Sequence, residues 1–241
     1  MTPKPLVSRA ARALWRLLRD RSYRSTVRLA LSRRGTVFQA VNNTRSNRYP
    51  KIFAFVRSRL GADFDGRILS YGCSTGEEIV TLRIYFPHAF IKGIDINPEN
   101  IAVFQKWLTR VPDPKVAVEC ADSTAGEAGG SYDAIFCMAV LRDSALVAAD
   151  VQDCTRHFPF SRFARAVDDL ARCLKPGGLL VIRHSNFRLC DAPAGEAFET
   201  LLRQPYEGRR RTPIFGPDNR RMPGAVYEDT VFRKKPRDLD T

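Results

Sequence analysis

The chain has 241 residues and 44% hydrophobic side chains, enough for one domain with a buried core, and lacks any run of about 18 apolar residues that would cross a bilayer. Its six cysteines (73, 120, 137, 154, 173 and 190) form no C-x-x-C pair and no cluster with the three histidines, which argues for a reduced, cytosolic chain without structural zinc. The net charge of +13 sits at the front: residues 1–60 hold fifteen Lys and Arg against Asp20 alone, whereas residues 61–241 hold twenty-four against twenty-five acids.

Leu6, Ala10, Ala13, Leu14, Leu17 and Leu18 recur at helical spacing, with Arg9, Arg12, Arg16 and Arg19 elsewhere on the wheel. Residues 5–19 therefore read as a basic amphipathic helix. A second basic segment, 22–34, carries Val27, Leu29, Ala30 and Leu31. Such a pair suits a surface that meets an anionic membrane, nucleic acid or an acidic partner; it equally suits a solvated cap packed onto the main domain by its apolar stripe. An acid-poor, arginine-rich start is also the composition of an organellar transit peptide, but no cleavage site marks one. Residues 36–50 are polar and turn-forming, and their Asn43, Asn47, Arg48 and Tyr49 suit either a linker or a pocket mouth. A helix resumes over Ile52–Leu60 and ends at Gly61. The charge step at residue 60 divides a basic helical extension, 1–60, from an α/β domain, 61–241.

From residue 66 onward strands and helices alternate. The predicted strands are 67–71, 90–95, 116–120, 132–138 and 179–183, the last entered through the turn Lys175-Pro176-Gly177-Gly178. Helices are expected over 77–86, stopped by Pro87, over about 98–109, opened by Asn97 and Pro98, and over 160–174. A short helix near 196–202 follows, and then two closing strands, 212–215 and 226–234, as a hairpin around the turn Gly216-Pro217-Asp218-Asn219. This succession predicts a parallel, doubly wound sheet with right-handed crossovers.

The strand–loop–helix junction RILSYGCSTGEE, 67–78, places backbone N–H groups at the carboxyl edge of such a sheet, where ligands bind. A dinucleotide site needs G-x-G-x-x-G so that the backbone can approach a pyrophosphate. Here Ser74 stands where the second glycine is required, and there is no G-K-[ST] to form a Walker cradle. S-adenosylmethionine suits the loop better, since its methionyl end brings a carboxylate for the loop's N–H groups and an ammonium for Glu77 or Glu78. Asp95 closes the second strand, where a carboxylate can accept the ribose hydroxyls. Asp122 follows the third strand with Ser123 beside it, placed for the adenine amino group. The candidate cofactor set is Tyr71, Gly72, Cys73, Ser74, Gly76, Glu77, Asp95, Ile96, Asp122, Ser123 and Cys137; Cys73 reads as a small packing residue rather than a nucleophile.

These segments carry a family resemblance. ILSYGCSTGEE, IKGIDINPENI, ECADST, YDAIFCMAVL and LKPGGLLVIRHS, in that order over residues 66–183, resemble the class I S-adenosylmethionine-dependent methyltransferases. The resemblance implies a Rossmann-like seven-stranded sheet of order 3-2-1-4-5-7-6 and methyl transfer from S-adenosylmethionine. The loop GCSTGEE and the strand AIFCMAV are similar to the chemotaxis-receptor glutamate methyltransferases, although Met138-Ala139 replace an Arg-Asn pair and no inserted β subdomain is evident. Small bacterial methyltransferases with RYP, CSTGEE and GIDINP are closer still. The absence of an N-P-P-Y run after the fourth strand speaks against amide and adenine N-methylation.

Methyl transfer from a sulfonium is an in-line displacement, so positioning supplies most of the catalysis and a base is needed only for a protonated acceptor. His184, at the end of the fifth strand, is the candidate base. Arg142 and Arg183 suit an anionic acceptor. No metal site is expected. The expected acceptor is a small molecule or cell-envelope precursor. The alternatives are a protein carboxyl group or RNA, for which no known binding module is present, and a non-catalytic binding protein on the same fold. The expected location is cytoplasmic or at a membrane surface.

Overall fold

The computed structural model describes residues 9–32, 44–143, 145–148, 150–205 and 212–236. Its centre is one seven-stranded sheet of order β3-β2-β1-β4-β5-β7-β6, the order the resemblance implied. The strands are β1 Arg67–Tyr71, β2 Phe90–Asp95, β3 Val116–Cys120, β4 Tyr132–Met138, β5 Leu174–Arg183, β6 Phe198–Arg203 and β7 Asp229–Lys234. The first five run parallel, while β7 joins β5 and β6 in antiparallel pairing. β4, YDAIFCM, is buried almost throughout, as a central strand covered on both faces must be.

The two faces of the sheet hold separate core layers. Leu69, Ile135, Leu180 and Ile182 point to the side covered by α7 (Phe160–Cys173), whose Phe163, Val167 and Leu170 recur at helical spacing. Ile68, Phe136 and Val181, one residue out of step, point to the side covered by α3 (Pro50–Leu60) and α4 (Glu77–Tyr85). α3 buries Ile52, Phe53 and Val56 in that layer. The packed unit therefore starts ahead of residue 61, because α3 carries its own share of the core. α5 (Pro98–Leu108) starts on Asn97, whose side chain accepts the Glu99 N–H at 3.0 Å, with Pro98 in the first turn.

Three local expectations are corrected. β5 begins at Leu174, paired with Tyr132, and Lys175–Gly178 form an irregularity within it before Ala134 pairs with Leu179. The segment read as a helix near 196–202 is a short 3₁₀ turn, Pro193–Ala197, followed by strand β6. Residues 212–215 make only an isolated bridge, Phe215 to Arg221, so the partner of β7 is β6.

The basic front forms α1 (Arg9–Arg19) and α2 (Arg21–Ser32). Residues 5–8, 33 and 34 of the expected helices, and Asn43, lie outside the described residues. α2 sits against α5, where Ser25 Oγ donates to Asn97 Oδ1 at 2.7 Å. α6 (Ala145–Ala148) is a single turn after β4.

Candidate active site

The strand order reverses between β1 and β4, which opens a crevice at their carboxyl ends. The loop 72–76 crosses it. Gly72 and Cys73 both donate their N–H to Ile94 O, at 2.7 and 3.0 Å, and Ser74 N–H donates to Asp95 Oδ2 at 2.8 Å. The loop is thus bonded to the end of β2, and these three N–H groups are engaged within the protein. The N–H groups of the first turn of α4, Glu77 to Ile79, have no intrahelical acceptor and face the same edge.

Gly72 has φ 79°, and a Cβ there would lie 2.3 Å from Val140 Cγ2. Both the left-handed backbone and the contact exclude a side chain. Gly72→Ala is expected to lower stability by about 2–3 kcal/mol, read from the denaturant midpoint, with partial recovery in Gly72→Ala/Val140→Ala. Equal stability of wild type and single variant would refute the packing argument. Cys73 is buried against Gly93, its thiol pushed up by burial and by the carboxylates of Asp95 and Glu78.

Asp95 is 8% exposed and accepts three hydrogen bonds: Ser74 N–H, Asn97 N–H at 2.9 Å and Asn100 Nδ2 at 3.1 Å. Burial raises its pKa against those three donors. A carboxylate offers about four lone-pair sites, so one remains for a ribose hydroxyl. Ile96, next along, is half-buried and its carbonyl receives Cys120 Sγ–H at 3.7 Å. Tyr71 OH donates to Asp122 O at 3.1 Å, joining the end of β1 to the loop after β3, where the Asp122 residue is exposed and Ser123 Oγ lies 3.5 Å from Ala125 N. Tyr71, the loop, Asp95, Ile96, Asp122 and Ser123 therefore line one edge. Cys137 does not reach it; it has no exposed surface and lies in the core layer with Tyr71.

The two adjacent glutamates differ. Glu77 is turned to its own loop, accepting Thr75 Oγ1 at 2.8 and 2.9 Å. Glu78 instead reaches back to β1, where Ser70 Oγ donates to its Oε1 at 2.7 Å. Burial pushes the Glu78 carboxyl up to about 7, although Ser70 and the Arg48 charge pull the other way. A carboxyl so placed gains from an incoming cation, whereas Glu77 is already bonded to Thr75. Ser70, missed in the sequence, had a signal: it is a polar residue inside a buried apolar strand. The hydroxyls of Ser74 and Thr124 are buried without a hydrogen-bond partner among the described residues.

A second group gathers across the ends of β4 and β5. His184 holds φ 59° just after β5, and its ring lies 5.7 Å from that of Tyr49, with the Arg48 guanidinium 5.1 Å from the Tyr49 ring. Burial, together with Arg183, Arg142 and Arg48, pushes the His184 pKa down to about 3, so the ring is neutral near pH 7. Arg183 itself is buried and held by carbonyls, donating to Gln204 O at 2.5 Å and Pro205 O at 2.9 Å. Tyr49 OH is buried without a hydrogen-bond partner among the described residues. Asn47 is used structurally, its N–H donating to Thr81 Oγ1 at 2.9 Å. Asn186, buried, ties the group down: its Oδ1 accepts Asp143 N–H at 2.7 Å, its N–H donates to Leu141 O at 3.1 Å and its Nδ2 donates to Pro213 O at 2.9 Å. No group of three or more metal-binding side chains occurs among the described residues.

Residues 68–178 match the profile of a methyltransferase domain family. That span, just under half of the chain, is similar to a methyltransferase domain. The matched span runs from β1 into β5 and so contains the loop, Asp95, Asp122 and Cys137, while His184 and the arginine-bearing segments at 48 and 183 flank it. No curated protein sequence matches the chain. Solved structures similar to it include the YcgJ protein of Bacillus subtilis, at 18% identity and TM-score 0.43 over 56% of this chain and 50% of that one. Geranyl diphosphate C-methyltransferase of Streptomyces coelicolor gives 16%, 0.41, 55% and 44% in the same order. Phosphoethanolamine N-methyltransferase 2 of Haemonchus contortus gives 17%, 0.43, 86% and 39%. The chain thus spans about half, or less, of the length of these proteins. Three features would suit S-adenosylmethionine: the Glu78 carboxyl, one open acceptor site on Asp95 and the unpartnered hydroxyls of Ser74 and Thr124.

Proposed function

We propose that the chain methylates a carboxylate oxygen of a small molecule or cell-envelope precursor, with S-adenosylmethionine as donor. The observation that carries this reading is the neutral His184 set among the charges of Arg183, Arg142 and Arg48. S-adenosylmethionine supplies, when bound, an electrophilic methyl group on a sulfonium. Glu78 would hold the ammonium of the methionyl end, Asp95 a ribose hydroxyl, and Asp122 with Ser123 the adenine edge. Arg48 and Arg142 would attract and orient the anionic acceptor over the ends of β4 and β5. A carboxylate oxygen is already a deprotonated nucleophile and needs no base. A histidine that protonates only near pH 3 is a weak proton acceptor, so His184 and Tyr49 serve to orient the acceptor by hydrogen bonding.

His184→Asn keeps a residue that tolerates the left-handed backbone. It is expected to lower kcat by less than about tenfold and leave the pH–rate profile unchanged between about pH 6 and 8; a general base would cost about 10²–10⁴. A loss of that size with a vanished acidic limb would restore the base reading.

The substrate class is tested by incubating labelled cofactor with fractionated extract. The expected product is a base-labile methyl ester in the small-molecule or lipid fraction. Base-stable label, or label in RNA, would overturn the carboxylate reading, and no turnover with any fraction would favour a non-catalytic protein. A glutamate carboxyl on a protein remains a second reading, favoured by the GCSTGEE loop and the same arginines, and it would appear as base-labile label on protein.

A further inference from the structure

Helix α1 turns an apolar face to solvent. Leu14, Trp15 and Leu18 are 60%, 58% and 71% exposed, and their spacing places them on one side of the helix. Basic groups border this face: Arg16 and Arg19 are exposed, and the Arg19 guanidinium lies 5.7 Å from the Trp15 ring. Exposed Arg21 and Arg28 follow on α2. Asp20, the one acid among residues 1–60, is occupied at the helix junction, accepting Tyr23 N–H at 2.9 Å and facing Arg16 at 3.7 Å.

The pair is braced. Arg24 Nη1 donates to the carbonyls of Leu17 and Leu18, at 3.1 and 2.8 Å, and the Arg16 guanidinium stands 4.4 Å from the Tyr23 ring. α2 is in turn seated on the domain by Ser25 on Asn97, two residues from Asp95. α1 packs on α2 and leaves this apolar side exposed. Nucleic acid would use the arginines and leave two leucines and a tryptophan in water. A bilayer uses both: the headgroup region takes tryptophan and leucine, and anionic phosphates take arginine.

We propose that α1 docks on the surface of a bilayer rich in anionic lipid, lying in its plane with Leu14, Trp15 and Leu18 inserted and the arginines at the phosphates. No helix among the described residues is long and apolar enough to cross a membrane, so the contact is superficial. Through Ser25 and Asn97 it holds the mouth of the crevice beside the membrane. The proposal is independent of the acceptor reading.

The test uses the full chain with Trp107→Phe, which leaves Trp15 as the only tryptophan and keeps a ring to stack on Phe104. Vesicles of phosphatidylcholine are compared with vesicles that also contain phosphatidylglycerol. With anionic vesicles Trp15 emission is expected to shift to shorter wavelength, and partitioning to exceed that on neutral vesicles by about tenfold or more, weakening as salt is raised. Leu14→Ser/Leu18→Ser, at two exposed positions, is expected to lower partitioning about tenfold while circular dichroism and S-adenosylhomocysteine binding stay unchanged. An unshifted Trp15, equal partitioning on both vesicle types, or unaltered partitioning of the double serine variant would each overturn the proposal. So would RNA binding that competes with vesicles and ignores the two leucines.

Discussion

Glu78→Gln is expected to weaken S-adenosylhomocysteine binding about a hundredfold and, in the same protein, to raise the melting temperature of the free chain at about pH 8. Both effects come from one buried carboxyl. Its ordinary pKa is 4.5 and the fold pushes it up to about 7. Between those values the folded chain holds a proton that the unfolded chain has released, so stability falls as pH rises and the full penalty is present above about 7. A shift of that size corresponds to about 3 kcal/mol as an upper bound, which glutamine removes while keeping the Ser70 contact. A ligand ammonium reverses the balance by giving the ionised carboxylate a partner. Affinity should therefore rise from about pH 5.5 to 7.5, and binding at about pH 6 should release a proton to the buffer. Calorimetry in two buffers of different ionisation enthalpy measures that proton directly. Unchanged affinity in the variant, or binding without proton release, would remove Glu78 from the site.

The contrast between Glu77 and Glu78 also shows where sequence reading stops. The strands were legible because each is a short apolar run between turn residues: four of the five parallel ones have their expected bounds, and β5 starts five residues earlier than expected, at Leu174. The helix starts were legible from Asn97-Pro98 and the glutamates after Gly76. β6 was not: Phe198-Glu-Thr-Leu-Leu-Arg consists largely of good helix formers, and pairing with β7 overrides that preference. The distant pairing itself has no local signature, so the nearer 212–215 segment looked like the hairpin partner. The choice between adjacent glutamates depends on which side of one helical turn faces Ser70, beyond the resolution of a motif. The electrostatics of His184 were invisible for a different reason. Arg48 and Arg142 come from segments far from it in the chain, and only the fold assembles their repulsion. Cys137 lies one residue from the end of β4, a strand buried on both faces, so its side chain lies in the core whichever way it points.

Asp95→Ala should produce the largest combined loss, abolishing measurable S-adenosylhomocysteine binding and lowering stability by about 3 kcal/mol. The carboxylate is the common acceptor for Ser74 N–H, Asn97 N–H and Asn100 Nδ2, so it fixes both the loop after β1 and the start of α5. Alanine leaves three donors without an acceptor at a site that is 8% exposed, where water replaces few of them. Asp95→Asn separates the two roles. Its amide oxygen can still accept from Asn97 and Asn100, but the NH2 group then faces the Ser74 N–H, donor against donor. The asparagine variant should hence retain most of the stability in a urea titration and still lose at least about tenfold in ligand affinity, because the amide NH2 replaces the oxygen that would accept the ribose hydroxyl. If instead alanine were as stable as wild type, the clamp would not exist; if asparagine bound the ligand normally, Asp95 would be a scaffold residue with no part in the ribose contact. The asparagine result is the sharper of the two, since a purely structural aspartate predicts a stability loss without a separate loss of affinity.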